Sequence, residues 1–187
     1  MPLAPDRQHV TRALYGGWRL ARGDAQGMRW FAVDADGFWG SFFAAALVLP
    51  LHLAVVLILA EPDVLGAGTL GVEAVLYTAS WVDFPIVAIF LTRFLGLTRG
   101  YVPMIVATNW ISVWQSLLMA PIQIVAGLGL LGGFGDVLML TGLVAVLVYQ
   151  WFVTRLALGC PPGTAAAFVV VDLILGVVWA VLTEGMG

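Results

Sequence analysis

The sequence predicts an all-α protein: a polytopic membrane helix bundle of five transmembrane helices, with an N-terminal amphipathic interfacial helix. Three observations carry that prediction. The 187 residues are 61% hydrophobic and 10% charged, with a mean hydropathy of +1.01. Soluble domains run near 45–50% apolar and about 25% charged. Five stretches reach the roughly 20 mostly apolar residues that a bilayer core requires. The eight basic residues are all arginine, and alternating spans sort every one of them to the same side. The apolar runs are continuous rather than alternating, which excludes a membrane β-barrel.

Residues 1–37 read as a cytoplasmic N-terminal segment. Within it, QHVTRALYGGWRLARG (8–23) predicts a helix. Val10, Leu14, Gly17 and Ala21 form one stripe with Trp18 at its edge, and Arg12, Arg19 and Arg22 cluster on roughly the opposite face. Such a helix suits the headgroup layer, arginines toward lipid phosphates and apolar stripe down. An ordinary helix docked on the membrane domain fits the same pattern. Gly16-Gly17 lowers its helix propensity. The aromatic and acidic mixture MRWFAVDADGFW (28–39) resembles interfacial entry sequence.

Residues 38–187 read as the transmembrane domain. Its spans fall at about 38–60, 70–93, 102–126, 136–157 and 163–183. The separators EPDVLGAGT, GLTRGY, GLGLLGGFG and GCPPG are rich in helix breakers. Pro85 predicts a kink in the second span. Arg7, Arg12, Arg19, Arg22 and Arg29 precede the first span, Arg93 and Arg99 lie at the second loop, and Arg155 ends the fourth span. The opposite side holds Glu61, Asp63, Asp136 and Glu184. The positive-inside rule then places the N-terminus in the cytoplasm and the C-terminus in the periplasm. No signal peptide is expected, since MPLAPDRQHV lacks an apolar core. His9, in the N-terminal segment, is expected to be solvated, as is Glu73 near an outer end. An arginine-only basic complement in an Ala-, Gly- and Val-rich chain suggests a GC-rich bacterium, hence an inner-membrane protein.

Polar residues inside the spans define the candidate site. Asp83 and Asp172 lie near the midpoints of the second and fifth spans. A charge at the bilayer centre costs about 2.5–3.5 kcal/mol on insertion scales. His52 is the nearby titratable base. Asn109, Ser112, Gln115, Ser116 and Gln123 give the third span a broad polar face, and Gln150 lies on the fourth. Asp83, Asp172, His52, Asn109, Gln115 and Gln150 therefore form a candidate intramembrane polar site. One reading makes it a proton or solute path with Asp83, Asp172 and His52 as relay groups. The other makes it interhelical glue, at roughly 0.6 kcal/mol per hydrogen bond.

Chemistry beyond that is sparse. HExxH, GxSxG and a Cys–His pair are all absent, so no enzyme activity is expected. One cysteine, Cys160, excludes an intramolecular disulfide and a cysteine metal cluster. No cofactor, metal site or nucleic-acid partner is expected. The expected partners are the lipid bilayer and a protein, either foreign or a second copy.

The five-span layout over 38–183, the basic N-terminal segment, the short loops and RGYVPMIVATNW opening the third span together resemble the Yip1 family. Gly100-Tyr101 matches the family's Gly-Tyr, with Pro103 close behind. The family's Asp-Leu-x-Gly-Pro pattern is missing, and the first span has only Leu49-Pro50. The resemblance implies a small five-span protein of structural, accessory or lipid- and partner-organising role. Eukaryotic members act in vesicle traffic with Rab GTPases, a partner that a bacterium lacks. The alternative function is a small oligomeric transporter or channel using Asp83 and Asp172.

Overall fold

Three aspartates start the N-terminal helices, because a short carboxylate can satisfy backbone N–H groups that the first helical turn leaves unpaired. In the computed structural model, which describes residues 5–60 and 67–184, Asp6 accepts from the His9 N–H at 2.6 Å and opens helix α1, Arg7–Ala21. Asp24 accepts from Gln26 at 2.9 Å and opens a 3-10 turn, Ala25–Trp30. Asp34 accepts from Gly37 at 2.7 Å and opens α2, Ala35–Ser41. Helix α3, Phe43–Leu59, follows after one residue. Then come α4 (Ala67–Ser80), α5 (Asp83–Phe94), a 3-10 turn (Thr98–Gly100), α6 (Tyr101–Gly127), α7 (Phe134–Leu158) and α8 (Pro162–Glu184). The protein is 85% helical, with no strand among the described residues.

Five helical stretches are long and apolar enough to cross a membrane: Ala35–Leu59, Gly71–Phe94, Thr98–Gly127, Phe134–Leu158 and Pro162–Trp179. They match the expected spans to within a few residues. The expected acidic loop residues Glu61 and Asp63 lie outside the described residues, as do Met1 and Pro2. The α7–α8 connection shows how tightly the chain turns. Gly159 takes the left-handed conformation (φ +59°) that caps a helix C-terminus. Pro162 then starts α8, where its missing N–H costs nothing.

Helix α6 is the axle. Every residue from Met104 to Ile111 is buried, two full turns with no exposed face, so other elements surround it. One apolar cluster joins Val106, Trp110, Ile111 and Val153 to Ala13, Leu20 and Phe31 from the N-terminal segment. A second joins Met104 and Ile105 to Phe84, Ala88, Leu158 and Phe168. Residues 5–37 thus share a core with the helices that follow.

Two expectations need correction. The buried face of α1 is Ala13, Gly16, Gly17 and Leu20, with Val10 and Leu14 half-buried, while Ala21 is exposed. The packed face is therefore rotated from the expected stripe. Gly16 faces the 3-10 turn at Gly27, where a Cβ would lie 2.9 Å from the Gly27 carbonyl oxygen. Close backbone approach is the job of these glycines, and it outweighs their poor helix propensity. The second span, expected to be one helix kinked at Pro85, is instead broken upstream, at Trp81 and Val82. There the chain tightens into i→i+3 bonds, Trp81 N–H to Thr78 at 3.3 Å and Val82 N–H to Ala79 at 3.0 Å. Pro85 sits in the first turn of α5, where proline is tolerated.

Candidate functional site

The break between α4 and α5 makes Asp83 the first residue of a helix. The carboxylate therefore sits at the positive end of the α5 dipole. Its Oδ1 accepts from the Phe84 N–H at 2.5 Å, and its Oδ2 accepts from the indole N–H of Trp179 on α8 at 2.5 Å. Asp172, two turns before Trp179 on α8, accepts from the Gln150 side-chain amide through Oδ2 at 2.5 Å.

Between α4–α5, α6, α7 and α8 is a cavity of about 240 Å³. Asn109, Gln115, Gln150 and Asp172, all expected from sequence, line it together with Ser80, Thr108 and Ser112. Asp83 is not on the wall, although its neighbours Phe84 and Pro85 are. Asn109 is held by donating to the buried Ser41 hydroxyl at 2.9 Å, and Gln115 by donating to the Val146 carbonyl at 3.4 Å.

His52 is not part of this group. It meets Glu73 of α4 at 2.8 Å and lines a separate cavity of about 190 Å³ with Ser116 and Gln123. The expected three-member relay of Asp83, Asp172 and His52 is thus split between two levels along α6. Glu73, expected to be solvated, is half-buried in that pair. The polar face of α6 divides likewise: Asn109, Ser112 and Gln115 turn to the acids, Ser116 and Gln123 to His52.

The arginine surface also differs from a free basic face. Arg19 is ion-paired with Asp24, its Nε donating at 2.7 Å. The Gln26 N–H, and after it Arg19, hold the Asp24 carboxyl below its ordinary value of 3.8. A lowered carboxyl pKa stabilises above the unfolded value and is lost as pH falls through the folded one, so this turn loosens only in acid below about pH 4. Arg12 lies over the Trp30 ring at 5.8 Å, and Arg22 is exposed. His9, expected to be solvated, is half-buried with its ring 6.0 Å from that of Trp110.

Two side chains bridge α1 to the bundle: the Trp114 indole donates to the Leu14 carbonyl at 3.0 Å, and the Tyr149 hydroxyl donates to the Gly17 carbonyl at 2.6 Å. Trp179, Ser41 and Thr108 complete the site, yet nothing in the linear pattern marks their roles. Trp179 is 96 residues from Asp83, and Ser41 is 68 from Asn109. Among the described residues no group of three or more His, Cys, Asp or Glu converges as a metal site. Compared with known proteins, the chain matches no family model, no curated protein and no solved structure.

Proposed function

We propose that this chain is a five-span integral protein of a bacterial inner membrane, Yip1-like in layout, with a structural, accessory or lipid- and partner-organising role and no enzymatic activity. The observation that carries the proposal is the pairing of the span-borne polar groups with one another. Asp83 is bonded to Trp179, Asp172 to Gln150, Asn109 to Ser41 and His52 to Glu73. These bonds fix helix rotation without requiring a path through the bundle.

The N-terminal lobe supports a particular membrane level. Its arginines exclude it from hydrocarbon, and it docks at Trp110, Trp114 and Tyr149. Beyond Trp114 α6 continues 13 residues to Gly127, about 20 Å at about 1.5 Å per residue. Helix α3, with 17 residues, spans about 26 Å. That length approaches the roughly 30 Å hydrocarbon core. Trp18 and Tyr15, both exposed beside Arg12 and Arg22, suit the headgroup layer. The N-terminus would be cytoplasmic and the C-terminus periplasmic.

Cysteine labelling tests this orientation in a Cys160→Ala background. Leu130, in the α6–α7 turn, and Phe94, at the end of α5, are 67% and 90% exposed. A membrane-impermeant maleimide should label Leu130→Cys in intact cells and Phe94→Cys only after permeabilisation. The reverse pattern would invert the topology. The role itself is tested by a pull-down from native membranes in mild detergent, with mass spectrometry and native mass. A stoichiometric foreign partner is expected; a pure homo-oligomer would count against an accessory role.

The broken α4–α5 helix and the polar cavity favour a second reading, a small oligomeric transporter or channel using Asp83 and Asp172. Interrupted helices at membrane depth recur where transporters bind ions. Liposome flux that is lost in Asp83→Asn and Asp172→Asn would select this reading.

A further inference from the structure

We propose that the cavity bounded by α4–α5, α6, α7 and α8 is a binding site for an ammonium group, with Asp172 as its counter-ion.

The cavity wall is rich in acceptors. Three hydroxyls face it, and each spends its only proton on its own helix. Ser80 donates to the Tyr77 carbonyl at 2.8 Å, Thr108 to the Met104 carbonyl at 3.0 Å, and Ser112 to the Thr108 carbonyl at 2.8 Å. Their lone pairs remain for a ligand that donates. The amides are anchored too: the Gln150, Asn109 and Gln115 nitrogens each donate one N–H, to Asp172, Ser41 and the Val146 carbonyl. Asp172 uses Oδ2 for Gln150 and keeps Oδ1. Among the described residues no Arg or His lines the cavity. The free hydroxyl lone pairs and the Asp172 carboxyl therefore favour a ligand that brings protons and positive charge.

Shape and level narrow the class. Trp81 and Phe84 supply aromatic walls, which attract alkylammonium ions through their ring faces. A volume of about 240 Å³ equals about eight waters at about 30 Å³ each, room for an aminoethyl group with part of its hydration. Asn109 and Gln150 each adjoin a residue against which α1 docks, Trp110 and Tyr149. The cavity thus lies level with the α1 lobe. The ammonium can come from a phosphatidylethanolamine headgroup or from a free primary amine. The inference goes beyond both functional readings, since binding requires neither flux nor a protein partner.

The experiment is calorimetric titration of methylammonium into the full-length protein in nanodiscs. One arm uses phosphatidylglycerol alone, and the other adds phosphatidylethanolamine. The wild type should bind saturably in the first arm, sodium at equal concentration should not compete, and Asp172→Asn should weaken binding at least tenfold. Ser112→Val, which narrows the cavity without changing charge, should also weaken it and serves where Asp172→Asn fails to fold. Competition by phosphatidylethanolamine identifies the headgroup as the source, and its absence identifies the free amine. No saturable binding in the first arm and no phosphatidylethanolamine retained through purification would overturn the proposal. So would wild-type affinity in the folded variants, or equal binding of sodium. Binding without liposome flux would keep the site while removing the transporter reading.

Discussion

Replacing Gly27 with valine is expected to release the N-terminal lobe from the bundle. A Cβ at Gly27 would stand 2.5 Å from the Gly16 carbonyl oxygen, 2.7 Å from Leu20 Cγ and 3.0 Å from the Leu20 backbone nitrogen. Two of these three neighbours are backbone of α1, which cannot swing aside as a side chain can. Overpacking in a close-packed interior costs typically 1–3 kcal/mol, and a rigid neighbour puts this site at the upper end or beyond. The lobe is held by a limited set of contacts: Ala13, Leu20 and Phe31 in the core, with Trp114 and Tyr149 bonded to α1 carbonyls. Limited trypsin digestion of membranes reads the effect. Cleavage at Arg12, Arg19 and Arg22 requires the helix to open locally. The wild type should resist; Gly27→Val should be cut rapidly there while the later helices stay intact. Ala25→Val, at an exposed position in the same turn, should behave as wild type. Equal resistance in all three proteins would show that the glycine contact does not hold the lobe.

The second large effect is expected at Asp83. Asp83→Leu removes the acceptor for the Trp179 indole and the negative group at the N-terminus of α5. A hydrogen bond to a charged group is worth about 1.5–3 kcal/mol, and loss of a favourable helix-dipole charge costs about 0.3–1 kcal/mol. Asp83→Asn keeps an oxygen toward Trp179 and should lose much less. Thermal unfolding in nanodiscs of Asp83→Leu, Trp179→Phe and the double variant gives the coupling directly. Costs of the two single changes that do not add would confirm that they act on one bond. Simple additivity would mean that Asp83 stabilises through the helix end alone.

These residues also show what a linear sequence reveals. Span positions came through within a few residues because they depend on runs of apolar side chains, a property local to each segment. The arginine distribution was equally plain. The membership of the polar site was half visible: Asp172, Gln150, Asn109 and Gln115 do share a cavity. Polarity within an apolar run shows that a residue turns inward, but not toward which neighbour. His52 therefore looked like a companion of the acids, while its partner is Glu73, at a different level of the bundle. The break at Trp81-Val82 contains neither glycine nor proline, so no local propensity announced it. The Asp83–Trp179 bond, between residues 96 apart, accompanies that break. Gly16 and Gly17 were visible as weak helix formers, while their value lies in the backbone they allow to come close.

The bond from the Tyr149 hydroxyl to the Gly17 carbonyl joins residues 132 positions apart. A ribosome makes Gly17 well before Tyr149. At about 5–20 residues per second, some 7–26 s separate their synthesis. Tyr149 is missing for α1 throughout that interval and Trp114 for most of it. Docking of α1 thus trails its own synthesis by seconds, and it reports that α6 and α7 have both arrived.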